Sequence, residues 1–156
     1  MILYHSSYVA VESPDVLHSR EFLDFGKGFY LTSLRDQAVR YGERFLRRRR
    51  DAWLNSYNFE FEGGEWAVKE FSSYDEDWLD FVANCRAGND STEYDLVIGG
   101  IANDKVIRTL DRYFEGEITK EQALGLLRYE KPNIQYCIRS QRMLEQCIKH
   151  IESLKL

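Results

Sequence analysis

The chain begins with a pattern typical of a short β-strand, and three later segments have the same character. Residues 2–6 and 29–32 are short, apolar and rich in β-favouring side chains, so each is predicted to be a strand. Residues 94–101 form a continuous apolar run, which predicts a central strand buried on both faces. A similar run over residues 134–138 predicts the last strand.

Polar and apolar residues alternate strictly in the middle of the chain. Tyr57, Phe59 and Phe61 are separated by polar residues, which predicts a half-buried strand. Gly63-Gly64 is a turn signal, and the segment 66–71 is a plausible partner strand. We therefore expect a β-hairpin around this turn.

Apolar residues at helical spacing predict five helices, several of which begin with a residue suited to capping. Ser33 is predicted to cap the first, while Ser73 with Glu76 and Thr119 with Gln122 match capping boxes. The positions predicted to form apolar helix faces are Leu34, Ala38, Tyr41 and Phe45; Trp78, Leu79, Phe81 and Val82; Val106, Ile107, Leu110, Tyr113 and Phe114; and Met143, Leu144, Cys147, Ile148 and Ile151.

The order of these elements is mixed, without regular βαβ alternation, and this favours an α+β fold. A chain of 156 residues with 44% hydrophobic and 30% charged residues fits one soluble domain with a single core. We therefore predict that residues 1–156 form a single domain.

Charge and cysteine content narrow the classes of function. A net charge of −5 argues against a general nucleic-acid coat protein. Cys85, Cys137 and Cys147 match neither a zinc motif nor a disulfide framework, so we interpret them as reduced, mostly buried thiols.

The N-terminus does not resemble a signal peptide, and no apolar run is long enough to span a membrane. The expected location is the cytoplasm.

Motifs of several large enzyme classes are absent from the sequence. It contains no Walker A motif, dinucleotide GxGxxG, HExxH or GxSxG, which leaves kinase, NTPase, Rossmann and zincin interpretations without support. With only three histidines, His5, His18 and His150, a histidine-rich metal site is not expected.

Two N-terminal segments resemble motifs of the ADP-ribosyltransferase superfamily. Residues 3–7 resemble its first-strand motif, in which histidine is usually followed by glycine, and residues 24–32 resemble its second motif. Gln37-Ala38 extend this second match. The chain is also similar, over nearly its whole length, to DUF3990, a bacterial family of unknown function placed in the same superfamily. The segments that carry this similarity are 94–99, 102–106 and 133–136.

The resemblance implies a split β core with flanking helices that binds NAD in a cleft. His5 would hydrogen-bond a ribose hydroxyl, backbone groups of Ser6 would hold the nicotinamide carboxamide, and Tyr30 would stack on the cationic nicotinamide ring. Lys27 would contact the pyrophosphate. Gly28 and Thr32 complete the implied cofactor-binding set.

Two positions depart from the superfamily pattern. Gln135 stands where a glutamate normally holds the ribose and favours the cationic sugar, and an amide keeps the hydrogen bonds without the charge. Ser6 replaces the usual glycine but is still small. Two functions therefore stay open: ADP-ribosyl transfer with His5, Tyr30 and Gln135 as the catalytic set, or a degenerate module that binds NAD or another nucleotide without turnover. A protein with no ligand, which uses its aromatic residues for a core and a partner, is the third alternative.

The acceptor that the resemblance implies is a macromolecule, either protein or nucleic acid, and no metal is required. Tyr129 and Glu130 lie in the loop that would contact this acceptor, although Glu130 is also typical of a solvated charge. Asn103 is a further candidate for the cleft, but it equally suits a helix cap. A role as bacterial toxin or effector would imply an antitoxin or immunity protein as a partner, and no membrane partner is expected.

A basic cluster, Arg44 with Arg47 to Arg50, falls at the end of the first predicted helix. Cations are favoured at helix C-termini and such runs are commonly solvated, so a purely structural role is one interpretation. The other is a phosphate contact to a nucleic acid, or a contact to an acidic partner.

Overall fold

A computed structural model describes residues 1–62 and 65–156. Within these residues the chain forms seven strands and five helices. The strands are β1 (Ile2–Ser7), β2 (Phe29–Leu31), β3 (Trp53–Phe59), β4 (Val68–Glu70), β5 (Leu96–Ile101), β6 (Asn133–Ile138) and β7 (Ile148–Lys155). The helices are α1 (Arg35–Arg47), α2 (Glu76–Ala87), α3 (Asp104–Phe114), α4 (Lys120–Leu127) and α5 (Gln141–Cys147). The predicted α+β class is confirmed.

The strands form two sheets. Sheet A has the order β1-β3-β7 and is antiparallel throughout. Sheet B has the order β2-β6-β5-β4, with β2 and β5 antiparallel to β6 and β4 parallel to β5. The predicted central position of β5 is correct, since it lies between two partners and its Leu96 and Val97 are fully buried.

A single bridge joins the two sheets near the start of the chain. The amide of Tyr4 donates to the carbonyl of Thr32 at 2.8 Å, and the amide of Thr32 donates to the carbonyl of Tyr4 at 2.9 Å. This pair of bonds is isolated, so β1 and β2 meet at one point and do not continue as neighbouring strands. We call this place the β1–β2 joint.

Two clusters of buried side chains surround sheet B. The first lies between sheet B and helices α2, α3 and α4, and Trp78 is its largest fully buried member. The second lies between the two sheets and contains Leu3 and Tyr57 of sheet A with Phe29 and Ile138 of sheet B. The β1–β2 joint lies at the edge of this second cluster, because Leu3 and Phe29 flank it.

The predicted hairpin is wrong. The segment 68–70 pairs with β5 in sheet B, whereas the half-buried strand that was expected to be its partner is β3, the middle strand of sheet A. Gly63-Gly64, the predicted turn, lies outside the described residues. Being central, β3 is buried over most of its length, and it begins earlier than the alternation suggested.

The predicted C-terminal helix is too long. Helix α5 ends at Cys147, and Ile148 and Ile151 belong to β7, which pairs with β3. β-branched residues favour the extended conformation when an unpaired strand edge is available. The helical spacing of these two isoleucines was therefore coincidental.

Two of the predicted helix caps are correct and two are wrong. Asn103 accepts from the Val106 amide, and Thr119 and Gln122 form a full capping box. Helix α2 is capped by Asp75 instead of Ser73. Helix α1 starts after Leu34 without a side-chain cap, so Ser33 does not serve it. In the described part of the chain, no helix is long and apolar enough to cross a membrane.

Candidate functional site

His5 is held at the β1–β2 joint by the backbone of Tyr30. Its Nδ1 lies 2.8 Å from the Tyr30 carbonyl oxygen, and its ring lies 4.2 Å from that of Phe29 between centroids. A carbonyl oxygen can only accept, so Nδ1 carries the proton. In the neutral ring Nε2 is then a hydrogen-bond acceptor, and it has no partner within the described residues. The strand residue predicted to bind a ribose hydroxyl thus presents a fixed acceptor.

Burial lowers the pKa of His5 below its usual 6.5, and this effect exceeds the opposing effect of the bond to Tyr30. At neutral pH the ring is therefore uncharged. The contacts with the Tyr30 carbonyl and the Phe29 ring fix its tautomer and its orientation without any carboxylate, which distinguishes it from a histidine poised as a general acid.

The lowered pKa predicts that His5 makes the protein less stable in acid. Below about pH 6.5 the unfolded chain takes up a proton at His5 that the folded protein does not, so the free energy of unfolding falls until the pH reaches the lowered folded pKa. Urea unfolding at about pH 7.5 and about pH 5.5 should show a larger loss for the unchanged protein than for His5→Gln, by up to about 1.4 kcal/mol per pH unit. Equal losses in the two proteins would contradict a neutral, buried ring.

The side chain and the backbone of Ser6 have different surroundings, α1 for the hydroxyl and an edge of β1 for the amide and carbonyl. Its hydroxyl donates to the Ala38 carbonyl at 2.5 Å and thereby anchors α1 on sheet A. In an antiparallel strand, successive residues direct their amide and carbonyl groups to opposite edges. Tyr4, two residues before Ser6, directs its amide and carbonyl away from β3 and toward Thr32. The amide and carbonyl of Ser6 therefore lie on the same edge of β1, beyond the point where the two sheets separate.

Tyr30 contributes to the joint mainly through its backbone. Its hydroxyl donates to the Gly26 carbonyl at 2.5 Å and accepts from the Phe25 amide at 3.1 Å, and burial raises its pKa. The ring is partly buried and lies roughly parallel to Phe25, with 6.4 Å between centroids. The turn that precedes β2 therefore fixes the tyrosine, and its stacking on nicotinamide stays a prediction.

A polar network borders the joint on the side of α1. The hydroxyl of Thr32 donates to the side-chain oxygen of Gln37 at 2.6 Å and accepts from the Leu34 amide at 3.1 Å. The Gln37 amide in turn donates to the side-chain oxygen of Asn133 at the start of β6. The three side chains tie β2, α1 and β6 together. Thr32 was a predicted site residue, whereas Asn133 was not.

Gln135 lies on β6 next to this network. It pairs with Gly99 of β5. The last pair between β2 and β6 is Leu31 with Tyr136, so the next position of the same register places Gln135 beside Thr32. The side chain is 9% exposed, and its amide makes no hydrogen bond to another residue in the described ranges. The amide atoms themselves are not fully buried, since no fully buried side-chain nitrogen or oxygen in the described residues lacks a hydrogen-bond partner. The amide is available to a ligand that reaches this side of β6.

Gly28 and Lys27 lie at the far end of β2. A Cβ on Gly28 would stand 2.5 Å from the Cys137 sulfur and 2.8 Å from the Ile138 carbonyl, so close packing on β6 explains the glycine. Lys27 lines an open cavity of about 580 Å³ together with Arg139, whose guanidinium is paired with Asp90 at 2.5 Å. Lys27 thus lines a cavity whose lining does not include His5, although it precedes Tyr30 by only three residues.

The predicted acceptor loop and the outside candidate Asn103 have different surroundings. Tyr129 is 81% exposed in the turn after α4, with the Arg128 guanidinium 5.3 Å from its ring centroid. Glu130 is half-buried in the same turn. Asn103 uses its side-chain oxygen as the cap of α3, which accounts for that residue without a ligand.

Asn55 organises the loop after β1, a role that the sequence reasoning missed. It is fully buried in β3, where its amide donates to the His5 carbonyl at 3.2 Å and its oxygen accepts from Val11 and Ser153. Asparagine is unfavourable within strands, so the presence of Asn55 beside the apolar Trp53 and Leu54 was the available signal. All three cysteines are free and buried, as predicted. Over residues 1–62 and 65–156, no three His, Cys, Asp or Glu side chains could jointly hold a metal ion.

Comparison with known proteins gives one match. The sequence model of a family described as "Protein of unknown function (DUF3990)" matches residues 1–150, almost the entire chain. No curated protein and no solved structure matches the chain significantly.

Proposed function

The chain belongs to the DUF3990 family, and we propose that it binds NAD at the β1–β2 joint and transfers ADP-ribose to a macromolecule. The observation that carries the proposal is the fixed His5 ring beside the backbone edge of Ser6 that faces away from β3, next to the isolated backbone bridge between the two sheets. A planar carboxamide has one donor and one acceptor group, as does a backbone edge, so the two are complementary.

Each group at the joint has a defined part in this proposal. Nε2 of His5 accepts a hydrogen bond from a ribose hydroxyl, and the Ser6 amide and carbonyl hold the nicotinamide carboxamide. The Gln135 amide, which has no partner in the described residues, hydrogen-bonds the same ribose from β6. Tyr30 packs against the nicotinamide ring. Lys27 then contacts the pyrophosphate only if the dinucleotide extends along β2 toward the cavity that this lysine lines.

The proposed reaction exchanges one bond at the ribose for another. The bond between C1 of the ribose and the nicotinamide nitrogen breaks, and its electron pair leaves with nicotinamide, which becomes neutral. A lone pair of the acceptor forms the new bond to C1, and the proton of the acceptor passes to water. Orientation of the sugar between β1 and β6 is the main contribution of the protein, because no carboxylate stands at Gln135.

A second candidate function is NAD binding without turnover, and the neutral Gln135 specifically favours it. A carboxylate would stabilise positive charge that develops on the sugar, whereas an amide offers only its dipole. Binding and turnover therefore have to be measured separately.

NAD is expected to stabilise the protein, and His5→Gln should remove about half of this effect. At an NAD concentration about 100-fold above Kd, the Tm should rise by about 5–10 °C. Loss of the Nε2 acceptor should weaken binding about tenfold, since one hydrogen bond is lost. Thermal melting with and without NAD checks both numbers. His18→Gln is the matched control, because His18 is an exposed histidine with its ring on Asp15.

Two results would contradict NAD binding at the joint: no shift of the Tm with NAD in the unchanged protein, or the same shift in His5→Gln.

Mass spectrometry of lysate proteins and nucleic acids after exposure to the protein and NAD tests transfer and identifies the acceptor class. NAD is an intracellular co-substrate, so we expect the protein to act in the cytoplasm. A toxin role predicts that expression slows growth less for His5→Gln, and an antitoxin or immunity protein would be the expected partner.

A further inference from the structure

Aromatic rings and arginines, most of them exposed, lie together on α1, the turn after it and the segment after β1. The aromatic–arginine patch consists of five side chains: Tyr8, Tyr41, Arg44, Phe45 and Arg50. Phe45 is its centre, with ring centroids 6.1 Å from Tyr8 and 5.9 Å from Tyr41. Tyr8 is 52% exposed and Tyr41 is 41% exposed, so part of the helix face predicted to be apolar is open to solvent.

An arginine stacks on each tyrosine of the patch. The Arg44 guanidinium lies 4.1 Å from the ring centroid of Tyr41, and that of Arg50 lies 5.3 Å from the ring centroid of Tyr8. Stacking orients a guanidinium while its N–H groups stay free to bind an anion. In the described ranges, no ion pair involves these arginines or those at positions 47–49.

The charge around the patch is opposite to that of the protein. Residues 35–51 contain seven arginines and three carboxylates, a net charge of +4, although the whole chain carries −5. Helix α1 ends in a turn in which Arg49 has a φ of 58°, a left-handed conformation that favours glycine. A glycine would relieve this strain, so local backbone energetics does not explain the arginine. An unpaired, concentrated positive charge attracts a polyanion.

From these observations we propose that the aromatic–arginine patch binds single-stranded nucleic acid. Tyr8 and Tyr41 stack on unpaired bases, and the arginines bind phosphates. Single strands combine accessible base faces with a regular series of phosphates, and proteins that bind them combine aromatic platforms with basic grooves. A duplex hides its base faces, and an acidic peptide would use the arginines but leave the tyrosine rings without a partner.

The patch lies next to the proposed NAD site. Tyr8 is two residues beyond Ser6, at most about 7 Å along the chain, and α1 is anchored on Ser6 through the carbonyl of Ala38. If the proposed transferase function holds, a strand bound here is placed to be the acceptor. Binding itself requires no NAD, so its test does not depend on that function.

Fluorescence anisotropy with labelled oligonucleotides of about 20 nucleotides tests the proposal without NAD. Single-stranded DNA and RNA of mixed sequence should bind, and a DNA duplex of the same sequence should bind at least about tenfold more weakly. Arg44→Gln with Arg50→Gln should reduce the slope of log K against log salt by about 1.4. Tyr8→Ala and Tyr41→Ala should each weaken binding about 5- to 150-fold, the loss of one stacked base.

The controls are an exposed arginine and an exposed aromatic residue on α3. Arg108→Gln and Phe114→Ala should leave binding unchanged, and Tyr8→Leu keeps an apolar contact with Phe45 while it removes the stacking ring. Three results would overturn the proposal: no binding of single strands, equal binding by patch and control variants, or a duplex bound as tightly as a single strand. Tighter binding of poly-glutamate would instead identify an acidic protein partner and also overturn it.

Discussion

Replacement of Gln135 by glutamate is expected to raise NAD cleavage about a hundredfold. The two side chains have nearly the same shape, so the change adds a charge with little effect on packing. Removal or addition of one well-placed electrostatic group at a developing charge typically changes kcat by about 10² to 10³. Release of nicotinamide, measured with saturating NAD, gives the rate for each protein.

The gain in NAD cleavage by Gln135→Glu should increase with pH. Gln135 is 9% exposed, and burial raises the pKa of a carboxyl group, so a glutamate there should ionise at a higher pH than a solvent-exposed one. The neutral His5 ring supplies no cation to offset this effect. Nicotinamide release by Gln135→Glu should therefore rise between about pH 6 and about pH 9, as the carboxyl group ionises.

Gln146→Glu is the matched control, because Gln146 is exposed on α5. It should leave both NAD binding and cleavage unchanged. If Gln135→Glu binds NAD normally but gains no cleavage at any pH, Gln135 does not face the ribose bond, and NAD binding without turnover becomes the better account. If it no longer binds NAD and still folds, the amide itself is the contact.

Trp78→Ala is expected to destabilise the protein by about 3–5 kcal/mol, a large part of the stability of an ordinary domain. Trp78 is fully buried, its indole N–H donates to the Gly100 carbonyl at 2.7 Å, and its ring lies 4.5 Å from that of Tyr74. Truncation leaves both a cavity and an unpaired carbonyl on β5. Urea unfolding followed by circular dichroism measures the loss.

Two further variants separate packing from hydrogen bonding. Trp78→Phe keeps an aromatic ring but removes the donor, so it should cost about 1–3 kcal/mol. Trp66→Ala changes a partly exposed tryptophan under Arg142, and it should cost less than either. Equal losses for Trp78→Ala and Trp66→Ala would show that α2 does not anchor β5 through this residue.

The parts of the fold that were predicted correctly have local signals. Strands β1, β2 and β5 follow from short apolar runs, and the starts of α3 and α4 follow from Asn103 and Thr119, whose side chains bond amides within three residues. Pairing of strands is not local. Nothing near residues 68–70 indicates that they join β5 in parallel, and the spacing of Ile148 and Ile151 suits a helix until β3 offers an open edge.

Of the candidate site, only the residue types could be predicted from the sequence, not their geometry. His5, Thr32 and Gln135 were selected through a resemblance, and the structure places Thr32 between the strands that carry the other two. The tautomer of His5 depends on the Tyr30 carbonyl, which lies 25 positions away in sequence, and the free Ser6 edge depends on a single bridge. Such facts come from tertiary contacts that no sequence pattern encodes.

Sheet A can be completed only after strand β7, which is translated late, has been synthesised. β7 forms the outer strand beside β3, and the Leu156 amide bonds to the Ala52 carbonyl at 2.8 Å. The sheet that carries His5 therefore joins segments about a hundred residues apart, a topology that slows folding. While the chain is still being translated, β3 lacks one neighbour and Asn55 lacks Ser153. Sheet A would thus be completed only after residues 148–155 have left the ribosome, and the proposed NAD site would form no earlier than the sheet that carries it.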